Sequence, residues 1–363
     1  MMCKIVNFTF EDQYINDFLS LPQKLYSKKY RTQNIQEEKE LLLDKHILSK
    51  YFNLFKFLIY KNETVVTRCI LTVYPNDTTL YFGFFESFND EEAVKLLFDS
   101  ISHFATSNHL TNIVGPVDAS FWIKYRLKTN HFDKKPYIGE PYNKDYYLSL
   151  MLMNNYRIAE EYVSNSFPKY SLFNRKILSS KKKYDGRFKK HLSKGYSIVS
   201  PTKDNFEKVL REIYGLIMEL YTDFPIFKYI AEEDFISLFS NYKYILDYSM
   251  VKMAYFNDEP VGFFIGTPDY STMLYHSIGI LTYIKVFFKR IRSSNYVMLY
   301  MGVKKEHQGL GKALVKPIIT NVLLRLSGAV TALTKEGRAT KTYFEQNAGT
   351  IYSYALLEKK VEK

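Results

Sequence analysis

Val303-Lys304-Lys305-Glu306-His307-Gln308-Gly309-Leu310-Gly311-Lys312-Ala313 is the stretch on which the reading of this chain turns. Tyr296–Val303, just before it, has the composition of a strand. From about Gly311 to Leu326, Leu314, Ile318 and Val322 recur at helical spacing. A strand that enters a glycine-bearing turn and then a helix leaves several backbone N–H groups unpaired and pointing one way. Together with the positive end of the helix dipole, those donors form a seat for a phosphate or pyrophosphate. Gly309 and Gly311 allow unusual φ and a close approach of an anion to the backbone, while Lys304 and Lys312 add positive charge.

Working outward, the elements around this loop occur twice. Phe55–Tyr60 and Thr64–Val73 read as strands joined by a turn at Lys61-Asn62-Glu63. Val251–Phe256 and Pro260–Thr267 repeat the hairpin about the turn Asn257-Asp258-Glu259. A third strand follows each hairpin, Thr79–Phe85 in the first half and Tyr296–Val303 in the second. Then comes a helix, Glu91–Ser107 with Val94, Leu97, Phe98, Ile101 and Ala105 on one face, matched by the helix after Gly311. A short strand closes each set, Asn112–Gly115 and Ala329–Thr334. Helical sequence also precedes the second set, over Asp204–Tyr221, and Pro317 is expected to kink or divide the second long helix. The stretch Ser271–Arg292 has no counterpart in the first half. The expected fold is α/β with mixed sheets, in two similar domains of 1–174 and 196–363 joined by a linker at 175–195.

Composition narrows the function. With 363 residues, 46% of them hydrophobic and 24% charged, the chain suits two folded domains rather than a disordered or fibrous protein. No apolar run reaches the ~18 residues of a bilayer span, since His276 and Lys285 interrupt the best stretch, Leu274–Phe288. Glu11 and Asp12 fall where a signal peptide needs an apolar core. Two cysteines and scattered histidines give neither a disulfide framework nor a zinc spacing. The expectation is a cytoplasmic, metal-free protein without a membrane partner. The formal charge of +12 is concentrated: Arg175–Lys194 has nine Lys/Arg against the single acid Asp185. That run is read as a solvated linker in preference to an RNA or membrane contact. The 32 Tyr and 28 Phe are spread along the chain without the clustering of a nucleic-acid module.

The loop resembles that of the GCN5-related N-acetyltransferases, the GNAT superfamily: Gln308-x-x-Gly311-x-Ala313 follows a strand ending at Val303, as Gln/Arg-x-x-Gly-x-Gly/Ala does there. Two registers fit, because Gly309-Leu310-Gly311 can instead fill the last three loop positions, with Glu306 where Gln/Arg belongs. The Asn usual near the start of the next helix appears as Glu336 or Gly337. The stretches Gly83–Glu86, Gly115–Asp118, Glu140–Tyr147, Pro260–Phe263 and Pro268-Asp269 look like tandem GNAT proteins of about this size. The resemblance implies two tandem GNAT-like domains. It also implies an acetyl-CoA site at Met301, Val303, Gln308, Gly309, Leu310, Gly311, Lys312 and Ala313. The implied activity is transfer of an acetyl or short acyl group to a primary amine of a small molecule or amine-bearing metabolite. Self-resistance to an amine antibiotic is one role such an enzyme fills. The alternatives are a tRNA-dependent aminoacyl ligase of the cell-wall-bridge type, the one reading with a nucleic-acid partner, and a non-catalytic acyl-CoA-binding pseudoenzyme.

Only the second half is expected to hold the cofactor. The matching junction of the first reads Phe88-Asn89-Asp90-Glu91-Glu92, where three carboxylates repel a pyrophosphate and no glycine opens the backbone. The first domain is therefore read as degenerate, with Asp118, Trp122, Tyr125 and Tyr142 as candidates for shaping an acceptor site. An alkyl amine with a pKa near ~10.4 is almost wholly protonated at neutral pH, so a base or desolvation must help. No carboxylate lies on Tyr296–Val303, which leaves Asp223, Asp269 and His276 as bases acting through water. The family's general acid, a tyrosine on the following helix, corresponds to Tyr343.

Overall fold

Two hairpins with the same turn chemistry anchor the two halves. The structure is a computed structural model that describes residues 3–169, 175–276, 279–335 and 349–361, with the backbone alone over 175–183. Asn62 and Glu63 both have positive φ, 49° and 61°, and so do Asn257 and Asp258, 51° and 63°. This is the two-residue turn whose twist suits tightly paired strands.

The chain divides into two units. The first takes the chain up to Tyr162, together with the stretch from Ser271 and the C-terminal stretch from Ser353. Its leading elements are β1 (Cys3–Phe8), α1 (Asp12–Leu25), α2 (Ile35–Leu42), β2 (Asn53–Lys61), β3 (Thr64–Val73) and β4 (Thr79–Ser87). Then come α3 (Glu91–Ser107), β5 (Asn112–Gly115), the short strands β6 (Val117–Asp118), β7 (Lys124–Tyr125) and β8 (Leu127–Lys128), and α4 (Tyr147–Met153). Strand β9 (Arg157–Phe167) begins in this unit and ends in the next. The sheet runs β1-β2-β3-β4-β5, antiparallel except for the β4–β5 pair. Val94, Leu97, Phe98 and Ile101 of α3 pack with Phe57, Leu71, Leu80 and Phe82 of the sheet as one apolar core.

The second unit holds Val163–Tyr270 and the chain onward to Tyr352. It opens with α5 (Arg175–Leu192), β10 (Tyr196–Val199), α6 (Phe206–Leu220) and α7 (Glu232–Phe239). Strands β11 (Val251–Phe256) and β12 (Glu259–Pro268) lead to α8 (Ile280–Ile291) and β13 (Asn295–Val303). Helix α9 (Leu310–Leu324), β14 (Gly328–Lys335) and β15 (Thr350–Lys360) complete the order. Its sheet runs β14-β13-β12-β11-β10, with only β13–β14 parallel. Leu310, Ala313, Leu314 and Ile318 of α9 pack with Phe264 and Tyr296.

Three findings depart from the sequence reading. The basic run is helix α5, not a linker: it packs along α9, with Tyr184 in the core and Asp185 within 3.6 Å of Lys316. Helix α9 passes through Pro317 and ends at Leu324. The unit boundaries are not sequential, because the last strand belongs mostly to the first unit, where Leu357 pairs with Gly115 and Tyr354 with Lys128. The unmatched stretch forms α8, whose Lys289 and Arg290 face the protein while Ile280, Leu281, Tyr283, Phe287 and Phe288 are all more than half exposed. Lys289 donates to the Asp269 carbonyl, and Arg290 Nε to the Leu246 carbonyl at 2.9 Å. Among the described residues no helix is long and apolar enough to cross a membrane.

Candidate functional site

The site grows from the way β13 outlasts its neighbour. On one side β13 pairs with β12 from Val303 back to Tyr296, with a bulge between Ile265 and Gly266 that leaves Leu299 as the extra residue. On the other side its pairing with β14 covers Asn295 to Met298. Leu299–Val303 therefore run past the end of the parallel ladder, and that edge is where a ligand's amides can pair with a strand backbone. The Tyr221 hydroxyl, just after α6, lies 3.4 Å from the Met301 carbonyl on this open stretch.

Past Val303, Lys304 N–H donates to the Val261 carbonyl at 3.0 Å, and a 3-10 turn follows at Lys305–His307. His307 Nδ1 and the Tyr196 hydroxyl are 2.8 Å apart, and the imidazole packs against the rings of Tyr196 and Phe256. These contacts fix the turn to β10 and β11. Gly309 is the N-cap of α9 with φ 91°, a left-handed conformation that a side chain adopts only with strain. No side chain caps this helix end. The N–H groups of Gly309, Leu310 and Gly311 precede the first i→i−4 bond and have no partner within the helix. Leu310 and Ala313 are buried, while Gln308 and Gly309 are exposed. Lys304 is 3.2 Å from Glu219. The arrangement offers a row of donors, positive charge nearby and an open strand edge leading to it, which fits a pyrophosphate with an extended arm.

The same junction in the first unit is built differently. β4 pairs with β5 over Thr79–Tyr81 and then runs on, again with a bulge, where Phe84 has φ 48°. Here the chain fills its own opening: Asp118 Oδ1 accepts from Phe84 N–H at 2.5 Å. The Val117 carbonyl lies only 1.9 Å from where a Cβ on Gly83 would sit, so β6 is pressed against β4. The end of α3 is also closed. Asp90 Oδ1 accepts from Ala93 N–H at 3.1 Å, and its Oδ2 is 2.7 Å from Lys61 Nζ. A carboxylate occupies the position an anion would need.

Of the other sequence candidates, Tyr343 lies outside the described residues. Asp223 is exposed, two residues after Tyr221. Asp269 accepts from Asn295 Nδ2 at 3.2 Å, at the end of β13 away from the loop. His276 belongs to the first unit, where its Nε2 is 3.0 Å from the Lys28 carbonyl and burial holds its pKa below the ordinary value. Asp118, Tyr125 and Tyr142 line one cavity of the first unit, which Trp122 does not. Among the described residues no group of three or more His, Cys, Asp or Glu is placed to hold a metal. Sequence reasoning missed Tyr221 and the Tyr196–His307 pair. The latter joins residues 111 positions apart, for which no local signal exists.

No family model and no curated protein matches the sequence. Solved structures do match. A tandem GNAT protein from the clavulanic acid biosynthesis pathway superposes on 100% of this chain and 99% of its own, with TM-score 0.53 and 10% identity. A glucosamine N-acetyltransferase region of a fungal multi-domain GH3 β-N-acetylglucosaminidase matches 99% of this chain and 38% of its own, with TM-score 0.53 and 12% identity. A GCN5-related N-acetyltransferase from Anabaena variabilis covers 99% and 73% respectively, at TM-score 0.51 and 11% identity. At these identities the likeness is one of architecture, and it spans both units: the chain has the tandem GCN5-related N-acetyltransferase fold.

Proposed function

We propose that the chain is an acyl-CoA-dependent N-acyltransferase that binds one acetyl-CoA, or short acyl-CoA, in the second unit and acylates a primary amine of a small molecule. The observation that carries this reading is the uncapped N-terminus of α9 at the end of a strand that outruns its parallel partner. The N–H groups of Gly309, Leu310 and Gly311 would hold the pyrophosphate, with the Gln308 side chain and the Lys312 charge beside it. The backbone of Met301 and Val303 would align the extended arm. When bound, coenzyme A supplies an activated thioester carbonyl. Tyr221 holds the Met301 carbonyl and so steadies the strand edge; Asp223, two residues on, is the carboxylate we assign to removing the amine's proton through water. Tyr343 is assigned as the proton donor. The first unit, closed by Asp118 and Asp90, is a degenerate repeat that takes no acyl-CoA. We place the reaction in the cytoplasm, where acyl-CoA is made. The finer role, protection against an amine antibiotic, is tested by expressing the chain in a sensitive host and scoring growth.

Calorimetry with acetyl-CoA tests the site directly. Wild type is expected to bind one equivalent per chain, and Gly311→Glu, which sets a carboxylate among the donors, to bind none. Absence of wild-type binding to acetyl-CoA sinks the reading. Tyr343→Phe is expected to cut turnover by at least about tenfold with little change in cofactor affinity; an unchanged rate removes Tyr343 from the mechanism.

A further inference from the structure

The first unit contains a cavity of about 50 Å³ where β4 diverges from β5, bounded by Phe84–Glu86, Asp118, the β7–β8 segment and residues 30–33. That is room for roughly three to five water-sized atoms. Four basic and three acidic side chains line it, and their pairing is lopsided. Each carboxylate already has donors of its own. Glu38 holds Arg68 at 2.7 Å, Asp118 holds Lys124 at 3.0 Å, and Glu86 Oε2 accepts from the hydroxyls of Tyr26 and Tyr147, both at 2.7 Å. The other two cations, Arg31 and Arg126, have no carboxylate partner among the described residues.

Three of the four unmet hydrogen bonds at its lining belong to cationic donors. Nε of Arg31, Arg68 and Arg126 are buried donors without an acceptor, and Gln33 Oε1 is a buried acceptor without a donor. Arg68 and Gln33 are 2% and 5% exposed, so neither turns to bulk solvent for relief. A buried guanidinium donor left unpaired forfeits its hydration without replacement, which is why such groups are rare unless something is held there. Arg126 itself has φ 90°, an outlier for a non-glycine residue, and its guanidinium is held over the rings of Tyr125 and Tyr162 at 3.7 and 4.1 Å. Phe84 N–H, which would face an acyl group in a working junction, is taken by Asp118.

We infer that this cavity is a binding site for a small oxyanion, the carboxylate or phosphate group of a metabolite, received by Arg31, Arg68 and Arg126. Guanidinium forks match both groups. A hydrogen phosphate offers in addition an O–H for Gln33 Oε1, whereas a carboxylate leaves that atom to water. The site is separate from the α9 junction and does not depend on acyl-CoA binding there.

The test uses the full chain with Gly311→Glu, so that an anion seated on α9 does not enter the signal. Inorganic phosphate and acetate are titrated by calorimetry and by thermal melting, each against chloride at equal ionic strength. One equivalent of phosphate, acetate or both is expected to bind and raise Tm beyond chloride, and whichever anion does so identifies the group. Adding Arg31→Gln is expected to weaken it at least about tenfold. Arg31 makes no ion pair among the described residues, so this change leaves folding intact, as circular dichroism checks; Arg126→Gln is the second variant. The inference is overturned if neither anion exceeds chloride, if Arg31→Gln binds as tightly as its parent, or if binding seen in wild type vanishes with Gly311→Glu alone.

Discussion

Glu86 shows how one residue's surroundings set a measurable property. Burial raises its pKa above the ordinary 4.5, opposed by the charge of Arg68 and by the Tyr147 and Tyr26 hydroxyls that donate to it. The folded chain thus holds this proton more tightly than the unfolded one. The stability Glu86 contributes is complete below the unfolded pKa and is lost as pH rises through the folded value. Glu86→Gln should flatten that decline, read as the urea midpoint of the first unit between acid and neutral pH; parallel slopes for variant and wild type would refute it. At this scale the sequence was legible where chemistry is local. Gly309, with its left-handed φ, and Asp90, as a cap, stand where the residue types predict. The Tyr196 contact of His307 and the Asp118 contact of Phe84 were not legible, because each joins segments that meet only in the folded chain.

Helices α3 and α9 occupy equivalent places after equivalent strands, and their first turns differ in what they admit. Asp90→Ala removes the bond to Ala93 N–H and the ion pair with Lys61. It should destabilise the first unit by about 1 kcal/mol, shifting its urea midpoint while acetyl-CoA binding at α9 stays as in wild type. Gly309→Ala makes the opposite case: a Cβ at φ 91° costs about 1–2 kcal/mol and should loosen the α9 end, weakening acetyl-CoA in calorimetry. Unchanged affinity would mean that the cap conformation is not what presents the donors. The observed bounds of β3, α3, β5 and β11 match the expected ones, and in α3 the buried Val94, Leu97, Phe98, Ile101 and Ala105 recur at helical spacing. Periodicity failed at α5, where eight Lys/Arg mask the apolar pair Tyr184 and Phe188, four apart, which pack toward α9. Lysine and arginine are good helix formers, and a charged run is a linker only when no apolar face runs through it.

Across the whole molecule, the chain's two-part sequence repeat is not its partition in space. Strand β15 returns to the first unit, where Ser353 N–H donates to Asn130 Oδ1 at 2.9 Å and Leu357 pairs with Gly115. The Tyr354 hydroxyl donates to Glu140 Oε1 at 2.7 Å, and Glu140 holds Lys128 Nζ at 2.6 Å with both side chains fully buried. These partners lie 214 residues apart, so the sequence displayed the Glu140–Tyr147 stretch without its reason. Removing one member of a buried pair leaves an uncompensated charge, so Glu140→Gln should cost about 3–5 kcal/mol in the first unit. Ending the chain at Tyr352 should cost more, since β5 then becomes an unpaired edge and β8 loses its partner. Hydrogen exchange separates the outcomes. Protection of β2–β5 amides should collapse in the shortened chain while β11–β13 amides keep theirs, and acetyl-CoA should still bind at α9. If β2–β5 stay protected, the returning strand is an accessory and the first unit closes its core without it. If protection falls in both units together, the molecule folds as one cooperative body despite its repeated sequence.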